Sequence, residues 1–103
     1  MNNNTHYFVY YRVQAAHLEA AKSCARMLFG LLASQQLATG ELFERIESGK
    51  PYHTLMEVLV PGPMASHAAL EFLEQIQPLV ATAFQRMAVP VERHSEVFCK
   101  LEG

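Results

Sequence analysis

The strongest pattern in the chain is the run Tyr-Phe-Val-Tyr-Tyr-Arg-Val from Tyr7 to Val13. Aromatic and β-branched residues without Gly or Pro predict a strand packed on both faces. Its even positions (His6, Phe8, Tyr10, Arg12) project to one side and its odd positions (Tyr7, Val9, Tyr11, Val13) to the other. The odd side suits a core beneath helices. The even side, with its guanidinium and imidazole, calls for a cover other than the chain's own helices, and any function is expected there.

After this strand the period changes. Leu18, Ala21, Cys24 or Ala25, Leu28, Leu31 and Leu32 recur at helical spacing, with Glu19, Lys22 and Arg26 opposite, which predicts a helix from Gln14 or Ala15 to about Gln36. Gly30 inside it marks either a close approach to the sheet or a tolerated glycine. Glu41 to Glu47 alternates charged with apolar residues and reads as a half-exposed edge strand. Ser48-Gly49-Lys50-Pro51 is a turn, and Tyr52 to Val60 a third strand completing a hairpin. Pro61-Gly62-Pro63 stops it.

A second helix follows, with Ser66 as a candidate cap and Leu70, Leu73 and Ile76 or Gln77 on its stripe. Pro78 is expected to break it near Gln77 and to begin a further helical piece with Leu79, Val80, Ala83, Phe84 and Met87 inward. Pro90 ends that piece, and a fourth strand runs from about Arg93 to Leu101. The order βαββαβ predicts an α+β, ferredoxin-like domain over 1–103, a four-stranded antiparallel sheet with its helices on one face.

Grouping strand positions by polarity gives two surfaces. The helix-facing set is Tyr7, Val9, Tyr11, Val13, Met56, Val58, Val60, Val97, Cys99 and Leu101. The open set is His6, Phe8, Tyr10, Arg12, His53, Leu55, Glu57, Leu59, His94, Glu96, Phe98 and Lys100. An open face carrying Phe8, Tyr10, Leu55, Leu59 and Phe98 is more apolar than monomers leave wet, and a second copy stacked face to face would cover it. Arg12 and Glu57 would then lie near the middle of a closed barrel and are expected to be ion-paired.

Composition narrows the picture. Half of the 103 residues are hydrophobic, 17% are charged and the net charge is -2. The basic residues are spread singly, so neither a nucleic-acid footprint nor an anionic-membrane patch is indicated. The most apolar window, Ala15 to Leu37, is interrupted by Glu19, Lys22 and Arg26 and does not read as a membrane span. The N-terminal residues lack a signal-peptide pattern. Cys24 and Cys99 form no metal or redox spacing, and a reduced, cytoplasmic location is expected.

The run at 7–13, Met-Glu-Val at 56–58 and Arg-His-x-Glu-x-Phe at 93–98 together resemble a small family of uncharacterised bacterial proteins. More distantly the chain resembles the dimeric α+β barrel superfamily, which includes antibiotic-biosynthesis monooxygenases and haem-degrading enzymes. The resemblance implies a homodimer closed through the open sheet faces, with small ligands held between sheet and helices. It fixes no reaction. Haem-degrading relatives use a Trp with an Asn and a His, and this chain has no Trp.

Candidate chemistry follows from these faces. Tyr7, Tyr11, Tyr52 and Met56 would line a cleft between sheet and helices, their hydroxyls orienting a phenol or quinone, with His17 or His67 as a base. The bland alternative is a packed core with Tyr tips at its edge. His6, His53, His94, Glu57 and Glu96 offer metal-ligand types but no ligand spacing, and read better as polar residues of a subunit contact with Phe8, Tyr10, Arg12, Leu55 and Phe98. No metal or cofactor is expected. The function expected is a homodimeric barrel protein binding a small aromatic or apolar ligand. The alternatives are a cofactor-independent monooxygenase or isomerase acting on a small aromatic substrate and, more distantly, an RNA-binding module stacking bases on Phe8 and Tyr10.

Overall fold

The computed structural model describes residues 4–102. The aromatic run forms β1 (Thr5–Gln14), and a single 3-10 turn at Ala15–His17 leads into α1 (Leu18–Ser34). β2 (Ala38–Glu44) and β3 (Tyr52–Pro61) form the hairpin, followed by α2 (Ala69–Phe84) and β4 (His94–Cys99). The sheet is antiparallel in the order β2-β3-β1-β4, with β1 and β3 central. This is the expected α+β, ferredoxin-like arrangement. The molecule is a slab of 42 × 33 × 19 Å, one sheet with one helical layer.

α1 buries Ala21, Cys24, Ala25, Leu28 and Leu32, and α2 buries Phe72, Ile76, Val80 and Ala83, against Tyr7, Val9, Tyr11, Leu55 and Leu59 of the sheet. Small residues on α1 let it sit close to the strands. The helix ends at Gln36, whose left-handed φ of 56° turns the chain into β2, and the Gln36 carbonyl accepts the Met64 N–H at 2.9 Å.

Four expectations are corrected. First, β3 has the opposite facing. Tyr7 pairs with Leu59, Val9 with Glu57 and Tyr11 with Leu55, and residues directly opposite share a face. His53, Leu55, Glu57 and Leu59 therefore face the helices, while Tyr52, Met56, Val58 and Val60 lie on the open side. His53 and Glu57 make their side of the run 52–60 the more polar one, so polarity alone assigned its phase wrongly. Second, α2 continues through Pro78 without a break. Glu74 and Pro78 are both exposed, so the carbonyl freed by the missing N–H reaches water.

Third, Ser66 is not the helix cap. α2 starts after Ala68, which makes no side-chain cap bond. The Ser66 hydroxyl instead donates to Glu71 Oε1 at 2.8 Å and accepts the Ala68 N–H at 3.3 Å. Fourth, Gly30 is exposed and a Cβ there would meet nothing within 4 Å. The glycine with a packing reason is Gly40 on β2, where the Phe29 ring occupies the space a Cβ would need.

Candidate functional site

On the helix side of β3 the run Leu-Met-Glu-Val-Leu places Glu57 between two core leucines, and its side chain is 0% exposed. A bare carboxylate there would cost several kcal/mol, on the order of what its partners must return. Three hydrogen bonds meet it. Tyr11 Oη, one step along β1, donates to Oε2 at 2.7 Å. Arg93, in the connection just before β4, donates from Nη1 to Oε2 at 2.7 Å and from Nη2 to Oε1 at 2.8 Å. This is the bidentate fork in which a guanidinium matches a carboxylate best. The Arg93 Cζ also lies 5.6 Å from the Tyr11 ring centre and 5.2 Å from that of Phe84.

Burial pushes the Tyr11 phenol well above its ordinary pKa, and the neighbouring Glu57 charge and hydrogen bond push it further the same way. Tyr11 is therefore a fixed donor at neutral pH, not a base. Burial raises Tyr7 as well.

Beside this triad, a cleft of about 400 Å³ opens between α2 and the sheet. Val9, Ile76, Val80 and Phe84 give it apolar walls, and Gln77, Arg93 and Ser95 supply its polar side chains. It exists because α2 stops short of the edge strand: all six residues of β4 are exposed, including Val97 on the helix side. On the opposite side of the sheet, two shallow grooves of about 530 and 620 Å³ share Tyr10, Arg45 and Thr54. Arg12 and His94 line one of them, Phe43 and Met56 the other.

The six residues expected to form a pocket do not come together. Tyr7 is buried and stacked on Phe72 at 4.3 Å, and Tyr11 is bound to Glu57. Tyr52 lies on the open face under the Arg12 guanidinium at 4.5 Å, and Met56 is opposite Tyr10. His17 is in the turn before α1 and His67 is exposed ahead of α2; neither lines the cleft. Of the residues expected on the open face, His6, Phe8, Tyr10, Arg12, His94, Glu96 and Phe98 are there. His53, Leu55 and Glu57 are not.

His53 instead meets Glu44, with Nδ1 2.9 Å from Oε2, while Lys22 Nζ approaches Oε1 of the same carboxylate at 3.2 Å. The three imidazoles thus do not converge, and no group of three or more His, Cys, Asp or Glu among the described residues is placed to hold a metal ion. The expected Arg12–Glu57 pair is replaced by Arg93–Glu57. Arg93 and Ser95 are the site residues that sequence reasoning missed. The available signal was a glutamate inside an otherwise apolar strand, which demands a cation from elsewhere in the chain.

Among the described residues, no helix is long and apolar enough to cross a membrane. No protein-family model matches the chain, and no curated protein matches it either, so the site is read from its own geometry.

Proposed function

We propose that the chain works as a homodimer, each copy holding a small aromatic or apolar molecule in the cleft between α2 and the sheet. The observation that carries this reading is the cleft itself: about 400 Å³, with an apolar wall from α2 and polar groups on the other sides, Arg93 among them and held in place by a buried carboxylate. That volume is within the roughly 300–1,000 Å³ range of small-molecule sites. A ligand would lay its apolar body against Ile76, Val80 and Phe84 and turn a polar end toward Arg93 and Ser95. The dimer rests on the open face, where Phe43 is 49% and Phe98 55% exposed beside Phe8, Tyr10 and Met56.

A cofactor-independent oxygenase or isomerase would need a group that takes a proton from the bound substrate. Glu57 already accepts three hydrogen bonds and is not among the cleft-lining residues, and Tyr11 is a donor. These observations favour binding over proton abstraction.

The test is ligand-observed NMR on the full chain with a small set of phenols, benzoate and naphthol. Saturation transfer to one of them, abolished in Ala81→Trp and in Ser95→Trp, which fill the cleft from two sides, is the expected result. No transfer to any of them in the wild-type chain overturns the ligand reading. Light scattering tests the assembly separately: twice the chain mass for the wild type and a single chain mass for Phe98→Glu are expected.

A further inference from the structure

The charges of this molecule divide by face. The carboxylates on the helix-facing side of the strands are paired within the chain, Glu57 with Arg93 and Glu44 with Lys22 and His53. On the open side Arg12, Arg45, Glu41 and Glu96 have no ion-pair partner among the described residues. Their placement is ordered in rows that run across the strands.

The register defines these rows. Glu41 is opposite Val58, Val58 opposite Phe8 and Phe8 opposite Glu96, so one row carries acids at both ends. The next row is Phe43, Met56, Tyr10 and His94. The third contains Thr54 and Arg12, with Arg45 at the β2 side, where its N–H donates to the Thr54 carbonyl at 2.9 Å, and the Thr54 hydroxyl donates to Glu47 Oε1 at 3.0 Å, which leaves the two guanidiniums as the groups of this row without an ion-pair or hydrogen-bond partner among the described residues. Glu92 is near this third row, but its side chain is 88% exposed and is directed to His94. Three successive rows of the open face thus present free acids, aromatic rings and free guanidiniums in turn, each about 7 Å from the next, with His6 opposite Phe98 beyond the acidic row.

We propose that the second copy seats with a twofold axis along the aromatic row, so that the basic row of each protomer lies over the acidic row of the other. This inference rests on the homodimer reading above and adds its geometry. Two ways of stacking a sheet on its own copy must be compared. An axis parallel to the strands keeps each row on itself and sets Glu41 opposite the partner's Glu96, like against like. An axis along the aromatic row exchanges the outer rows, sets Arg45 opposite the partner's Glu41, brings Arg12 toward the partner's Glu96, and lays aromatic residues on aromatic residues. The second gives complementary contacts for all four unpaired charges, whereas the like-charge contact of Glu41 with the partner's Glu96 selects against the first.

Because the axis is twofold, each pair occurs twice per dimer, and a charge reversal is felt twice. The experiment is a charge swap within one chain, read by sedimentation equilibrium. Arg45→Glu alone and Glu41→Arg alone should each weaken the dimer about tenfold or more, and the double variant should return to within about threefold of the wild type. Far-UV circular dichroism of each variant checks that the protomer remains folded. Arg12→Glu with Glu96→Arg repeats the test on the other pair. A wild-type dimer in which neither double variant is tighter than its singles overturns this row pairing while leaving the homodimer intact. A wild-type chain that remains monomeric at every concentration overturns both.

Discussion

A carboxylate at 0% exposure decides the behaviour of this molecule at the scale of single residues. Arg93→Met removes two of the three hydrogen bonds to the buried Glu57 carboxylate, and should lower the unfolding free energy by about 3–5 kcal/mol in urea titrations. Replacing both partners, as Glu57→Leu with Arg93→Met, should recover most of that loss, since a buried ion pair and an apolar pair of similar volume are close in energy. The Tyr11 phenol adds a pH signature. Its folded-state pKa is raised, by burial first and Glu57 second, so the unfolded chain releases its proton near pH 10 while the folded one does not. Its contribution is complete below pH 10 and is lost as pH rises above it. Tyr11→Phe should therefore be less stable at pH 8, by about 1 kcal/mol for the lost hydrogen bond, yet decline less steeply above pH 10 in thermal melts. Glu57 also marks where the sequence was hard to read. Its charge argued for the wet face, and only the distant Arg93, 36 positions later, makes the dry face affordable.

At the scale of elements, order and type were legible because the periodicities are long and the breakers clear. β1, α1 and β3 lie where the pattern placed them, to within a few residues, and α2 joins the two helical pieces that the pattern had divided at Pro78. β2 begins earlier than the charged alternation suggested, since Gly40 pairs with Leu59 to let Phe29 pack across the strand. Facing was legible for β1, where the more polar side is the open one, and misleading for β3, where His53 and Glu57 lie on the helix side. Three positions, two on helices and one on β2, carry predictions. Gly30 is exposed with free space around it, so Gly30→Ala should raise stability by about 0.5–1 kcal/mol in chemical denaturation. Gly40→Ala, by contrast, forces the Phe29 ring to move and should lower stability by the roughly 1–3 kcal/mol typical of overpacking. Pro78 interrupts the hydrogen bonding of a helix that continues past it, and Pro78→Ala should stabilise by about 1–3 kcal/mol.

The whole molecule is a two-layer slab 19 Å thick, and such a slab has one face that its own helices cannot reach. That face carries the proposed assembly, and the uncovered edge at β4 carries the proposed cleft. Neither needs the other's residues, so variants at Phe98 and at Ala81 should act independently on mass and on ligand binding. One more consequence follows from where the cation for Glu57 is found. Three strands and both helices have been synthesised by residue 84, but until residue 93 has left the ribosome packing them together would bury a carboxylate with no counter-charge. The nascent chain is thus held back from settling early, and the fold locks only as its last strand arrives; arrested chains ending at residue 90 should be cut readily by protease where chains carrying β4 resist.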